Sequence, residues 1–237
     1  MNRRLFFRSA GASVVPGRLL PSQAPSATGL GWDEPRESER QVSEYLARTA
    51  REITDRAKSE VRRASVWEPL RETRRQELRE MLGLWPWPER GRLNARVTDK
   101  QSVGDCQIEC VVFESLPRVY VTANLYLPAK VTAPLPAILY SCGHAYSEYG
   151  AKAKYQRYGA AFARNGYAAL VIDPIQLSET FALHYGIYYR EMYEWYARGY
   201  TPAGVEAWNA IRALDYLETR PEVDRSRFGM TGRSGGA

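Results

Sequence analysis

Two histidines and three cysteines are all that this 237-residue chain offers as imidazole or thiolate ligands. His144 and His184 are too few and too far from other ligands for a zinc site, and no other metal or cofactor is expected. Cys106, Cys110 and Cys142 make no disulfide framework. On one strand, Cys106 and Cys110 would stand about 13 Å apart, beyond bridging distance, so all three read as buried thiols. No apolar run approaches the roughly 18 residues that a membrane span requires. Acids are missing altogether from the first 31 residues, which hold Arg3, Arg4, Arg8 and Arg18. The net charge of +6 therefore falls to +2 over the remainder, and a nucleic-acid surface is not implied.

What is present points to a folded body. With 44% hydrophobic residues the chain can bury a substantial core. The leader Asn2-Arg3-Arg4-Leu5-Phe6-Phe7-Arg8, followed by Ser9 to Val15, resembles a twin-arginine export signal and implies a periplasmic or extracellular protein. Pro16 and Arg18 cut its apolar stretch short, and a basic leader without an export role is the alternative. Residues 1–35 read as leader and linker, 36–90 as a helical extension and 91–237 as an α/β domain.

Val42, Leu46, Ile53, Ala57 and Val61 recur at helical spacing, which predicts a surface helix with one packed stripe. A second helix is predicted over Trp67 to Leu82, with Trp67, Leu70, Leu78 and Leu82 inward and Gly83 as its stop. Its arginines alternate with Glu68, Glu72, Glu77 and Glu80, the pattern of a solvated face. Trp85-Pro86-Trp87-Pro88 cannot continue a helix. Beyond it the period falls to two. Ile108, Cys110 and Val112 share one face, and Val119, Val121, Ala123, Leu125 and Leu127 repeat it after a turn at Glu114 to Arg118, an antiparallel hairpin. Pro136 to Cys142 and Tyr167 to Ile172 are continuous apolar runs, as in strands covered on both faces, with a helix between them at 152–165. Thr201 caps a helix that starts at Pro202, is lined by Ala207, Ile211 and Leu214, and stops before Arg220-Pro221. Phe228 to Thr231 is a short strand. The alternation builds an α/β fold with a mostly parallel sheet, an antiparallel hairpin at its start and an N-terminal helical pair.

The last strand runs into Gly232-Arg233-Ser234-Gly235-Gly236, which matches G-x-S-x-G. A sharp strand-to-helix turn strains its central residue and crowds its neighbours, so the flanking positions must be glycine or very small. The order of these elements resembles the first half of an α/β-hydrolase. Thr201 to Trp208 and Thr231 to Gly236 resemble, more narrowly, secreted or periplasmic bacterial acetyl xylan esterase-like hydrolases, over about residues 40–237.

That resemblance implies a metal-independent carbohydrate esterase with an ester substrate and an acyl-enzyme on Ser234. It implies an oxyanion hole from the N–H of Gly235 and that of His144 or Ala145, with Gly232 and Gly236 shaping the turn. Its acid and histidine follow the serine, where these residues offer neither; neither His144 nor His184 is expected to replace the base. The sequence as given is thus expected to be an inactive, poorly soluble piece with an uncovered strand at 228–231. An aromatic segment with Tyr189 and Trp195 reads either as a substrate platform for sugar rings or as a short packed helix ending at Gly199. A serine peptidase of the same superfamily and a non-catalytic carbohydrate-binding remnant are the other functional readings.

Overall fold

The computed structural model describes residues 37–61, 64–145, 147–175, 179–180 and 193–236. The leader, Tyr146, His184 and Tyr189 lie outside the described residues, as does the side chain of Trp195. The chain divides into two compact units, Met1–Val66 and Trp67–Ala237. In the first, helix α1 spans Glu37–Val61, with Glu37 and Glu39 in its first turn and Lys58 in its last, each sign complementing the helix dipole. Its apolar stripe is not packed as expected: Val42, Leu46 and Ile53 are each more than half exposed. Amphipathic spacing decides which residues share a face but does not supply a partner.

Helix α2 (Ala64–Leu82) carries the exposed pairs Arg71–Glu68, Arg74–Glu77 and Arg75–Glu72, each contributing roughly 0.2–0.5 kcal/mol. Leu70 and Leu82 are half-buried, whereas Trp67 and Leu78 face solvent, a smaller inward set than the spacing suggested. The helix stops at Gly83, whose φ of 73° suits glycine.

Strands β1 (Arg96–Val103), β2 (Cys106–Leu116) and β3 (Val119–Pro128) form an antiparallel meander. Strands β4 (Leu135–Ser141), β5 (Ala168–Ile172) and β6 (Val223–Gly232) run parallel. The sheet is therefore mixed, in the order β1-β2-β3-β5-β4-β6, and the antiparallel pair β3–β5 joins its halves. Helix α3 (Ala151–Arg164) links β4 to β5; the one-turn α4 (Glu194–Ala197) and then α5 (Pro202–Glu218) precede β6. Strand β1 has no counterpart in the sequence reading, because every residue but Val97 is exposed and no apolar alternation marks it.

A helix covers each face, which gives two core layers. On one side Val111, Phe113, Leu125, Leu139 and Leu170 pack under Ala213, Tyr216 and Leu217 of α5. On the other Tyr126, Tyr140 and Val171 pack under Ala151, Tyr155 and Ala163 of α3. Leu125, Leu170 and Leu139 lie in one cross-strand row, all fully buried, and truncating one to alanine removes about 2–5 kcal/mol.

Three expected facings shift. In β2 the deeper face is Val111 and Phe113, while Ile108, Cys110 and Val112 are half-buried on the α3 side. Over Cys110–Phe113 both parities of that strand are apolar, so a period of two cannot choose between them. Cys110 is accordingly only partly buried, unlike Cys106 and Cys142. In α5 the buried stripe is Trp208, Ala213, Tyr216 and Leu217, with Ala207, Ile211 and Leu214 beside it.

Candidate active site

Ser141, Ile172 and Gly232, at the ends of the three parallel strands, are in register. The segments that follow them therefore emerge side by side at one end of the sheet, where sites of open α/β sheets gather. Strand β6 gives way to a 3-10 turn over Ser234–Gly236, closed by the Gly236 N–H donating to Arg233 O at 3.0 Å. Arg233 N donates back to Ser141 O at 3.3 Å. Ser234 sits at φ 55°, in the left-handed region, a conformation that costs a non-glycine residue about 1–3 kcal/mol and persists only where its surroundings enforce it. A methyl on Gly236 would run into the carbonyl oxygen of Ser141, and one on Gly232 into that of Gly236. The crowding inferred from the motif is thus backbone against backbone.

The loop after β4 is stacked on this turn. A methyl at Gly143 would lie 2.5 Å from Arg233 O and 2.8 Å from the Cβ of Ser234, and one at Gly235 would lie 2.6 Å from Nδ1 of His144. Gly143 and His144 therefore lie against Ser234 and Gly235, while the next residue, Ala145, is buried in the core on the α3 side.

Glu206, in the second turn of α5, completes it. Its Oε1 lies 3.1 Å from Nε2 of His144, and both side chains are mostly buried. The contact brings the two groups within ion-pairing range without the alignment of a strong hydrogen bond. Helix α5 is set at this height by its cap. Thr201 Oγ1 accepts from Gly204 N at 2.9 Å and donates to Leu82 O at 2.8 Å, tying the start of α5 to the end of α2. A methyl on Gly204 would strike that same Leu82 carbonyl.

A second polar cluster lies at the end of β5. Asp173 is 1% exposed. Its Oδ2 accepts from Lys152 Nζ at 2.6 Å and from Thr122 Oγ1 at 2.7 Å, and its Oδ1 accepts from the Lys152 N–H at 2.8 Å. Lys152 Nζ also meets Tyr149 O and the half-exposed Glu179. Burial alone would lower the Lys152 ammonium, but Asp173 and Glu179 outweigh it and hold it above its ordinary value. Burial drives the Cys142 thiol well above its usual range.

Of the residues singled out from the sequence, Ser234, Gly235, Gly232, Gly236 and His144 come together, and Ala145 follows His144 into the core. Tyr189 and the Trp195 side chain lie outside the described residues; Tyr196 and Tyr193, in the same aromatic segment, are exposed. Sequence reasoning missed the pairing of Glu206 with His144 and that of Lys152 with Asp173. Their contacts join residues 62 and 21 positions apart, and no local pattern carries such a pairing. Among the described residues no cluster of three or more potential metal ligands occurs, and no helix is long and apolar enough to cross a membrane.

The mixed sheet, helices on both faces and the serine-bearing turn after β6 define an α/β-hydrolase fold. One similar solved structure, from Bacteroides fragilis, is assigned as an acetyl xylan esterase: TM-score 0.60, 17% identity, covering 73% of this chain and 48% of that one. Methylesterase BT1017 follows at TM-score 0.59 and 20% identity, covering 77% of this chain and 39% of its own. A glucuronoyl esterase from Solibacter usitatus matches at TM-score 0.50 and 21% identity, covering 72% and 53%. The chain thus spans about half the length, or less, of the structures it resembles. No protein-family model and no curated protein matches it.

Proposed function

We propose that this protein is a serine ester hydrolase that removes acyl groups, acetyl foremost, from carbohydrate through an acyl-enzyme on Ser234. The observation that carries the reading is the strained Ser234, φ 55°, with Gly143 packed against it and His144 against Gly235. Esterase neighbours with the same fold support the substrate class. In this mechanism Ser234 Oγ attacks the ester carbonyl carbon while a histidine takes its proton. The carbonyl oxygen becomes the oxyanion, held by the N–H of Gly235 and that of His144 or Ala145. Collapse of the tetrahedral adduct expels the sugar alcohol, and water then releases the acid. The resemblance implies that the histidine and its acid partner follow Ser234 in the family pattern.

The test is hydrolysis of 4-nitrophenyl acetate and acetylated xylo-oligosaccharides by the protein expressed from its complete reading frame. Ser234→Ala should lower kcat at least about 10³-fold; a variant that keeps wild-type turnover refutes the assignment. We further propose export through the twin-arginine-like leader. A reporter fused to residues 1–35 should reach the periplasm, and Arg3→Lys with Arg4→Lys should retain it inside; equal export of both forms rules this out.

A further inference from the structure

We propose that Glu206 is a positioning residue: acting through the His144 ring, it sets the oxyanion loop against the serine turn. The inference rests on the reading of Ser234 as nucleophile. Glu206 is carried on a helix whose flanking residues Gly204, Trp208, Asn209 and Ala210 are buried, and its own side chain is only 17% exposed. A carboxylate so placed loses hydration that only a partner restores. Among the described residues the imidazole stands within reach, 3.1 Å away. That ring in turn covers Gly235 so closely that a methyl there would lie 2.6 Å from Nδ1. The result is one continuous stack, carboxylate on imidazole on the backbone of the residue after the nucleophile.

The consequence concerns distance. Oxyanion donors act only when they sit about 2.7–3.1 Å from the developing charge. The loop that carries His144 and Ala145 is held from below by the register of β4 and from the side by this stack. Removing the Glu206 charge loosens the ring, and the loop amide drifts. Substrate binding, which needs no such precision, is left alone. The role differs from that of a general base, which would take the serine proton directly.

The experiment uses the protein from its complete reading frame and measures kcat and KM on 4-nitrophenyl acetate for wild type, Ser234→Ala, Glu206→Gln, Glu206→Ala, His144→Asn and the Glu206→Gln/His144→Asn double variant. Glu206→Gln keeps shape and volume, so it reports even where Glu206→Ala does not fold. It should lower kcat about 10- to 100-fold with KM within about twofold, less than the loss of an entire oxyanion donor. The double variant should be no slower than His144→Asn alone, because the carboxylate acts through the ring. Effects that multiply, a change confined to KM, or a wild-type kcat in Glu206→Gln overturn the proposal. If His144→Asn falls as far as Ser234→Ala, the ring is the base and the positioning role is refuted. The parent reading fails separately: an inactive wild type, or an active Ser234→Ala, removes both.

Discussion

Replacing Lys152 by methionine keeps the aliphatic stem and deletes one charge, and the structure says what is left behind. Asp173, 1% exposed, would keep the Thr122 hydroxyl at 2.7 Å and the backbone N–H of residue 152 at 2.8 Å but lose its countercharge at 2.6 Å. Breaking a buried ion pair on one side costs about 3–5 kcal/mol. The pairing with Glu179, whose side chain is 50% exposed, adds well under about 1 kcal/mol. At roughly 2–4 °C per kcal/mol for a chain of this length, the melting temperature should fall by about 6–20 °C. Urea titration followed by tryptophan fluorescence, with thermal circular dichroism beside it, measures both. Lys152→Met/Asp173→Asn discharges the stranded carboxylate and should recover most of the loss. The pH dependence has a definite sign. Lys152 is held above its ordinary value of 10.5, so the folded state binds that proton more tightly than the unfolded one. The stabilisation is complete below 10.5 and is lost as pH rises through the raised value. Lys152→Met should lack this alkaline limb. A loss below about 1 kcal/mol, the scale of a surface pair, or a double variant less stable than the single one, refutes the reasoning.

Gly143→Ala should reduce ester hydrolysis by at least about 100-fold, because its methyl would lie 2.5 Å from Arg233 O and 2.8 Å from the Ser234 Cβ, whereas Gly91→Ala, with open space around it, should leave activity unchanged. The native Cys142 thiol, buried and driven up by desolvation, should resist iodoacetamide near pH 8 and react once urea unfolds the chain, as peptide mass spectrometry would show. Glu109 is buried beside Lys100 at 2.7 Å and Arg220 at 3.0 Å. Burial alone would raise it, but the two cations outweigh that and hold it below its ordinary 4.5, so its contribution is present above 4.5 and lost as pH falls through the lowered value. Glu109→Gln should cost about 1–3 kcal/mol at neutral pH and flatten that acid limb in urea titrations.

The parts of the fold legible in the sequence are those where local chemistry has one solution. Pro136 to Cys142 and Tyr167 to Ile172 are apolar at both parities and flanked by breakers, and they become the central strands β4 and β5. Thr201-Pro202 is a cap and a first turn wherever it meets a helix, and it is one here. The glycines around Ser234 announce a crowded turn. What stayed hidden depends on partners. The α1 pattern looks the same whether or not its stripe is covered, and it is exposed. Strand β1 is solvated on nearly every side chain and so leaves no hydrophobic trace. Glu206 and Asp173 look like ordinary surface acids until the sheet brings His144 and Lys152 to them.

The junction of α2 with α5 sets a limit on how this protein can vary. Leu82 O receives the Thr201 hydroxyl, Gly204 lies against the same carbonyl, and a side chain at Gly83 would strike the carbonyl of Gly199. Apart from the Thr201 hydroxyl, these are main-chain approaches with no side chain to trim, so the junction leaves little room for small adjustments. Glu206 stands two residues beyond Gly204 on a stiff helix. The same helix thus carries both the junction with α2 and the carboxylate beside His144. A side chain added at Gly83 or Gly204 must therefore displace main chain on the other side of the junction, at Gly199 or Leu82.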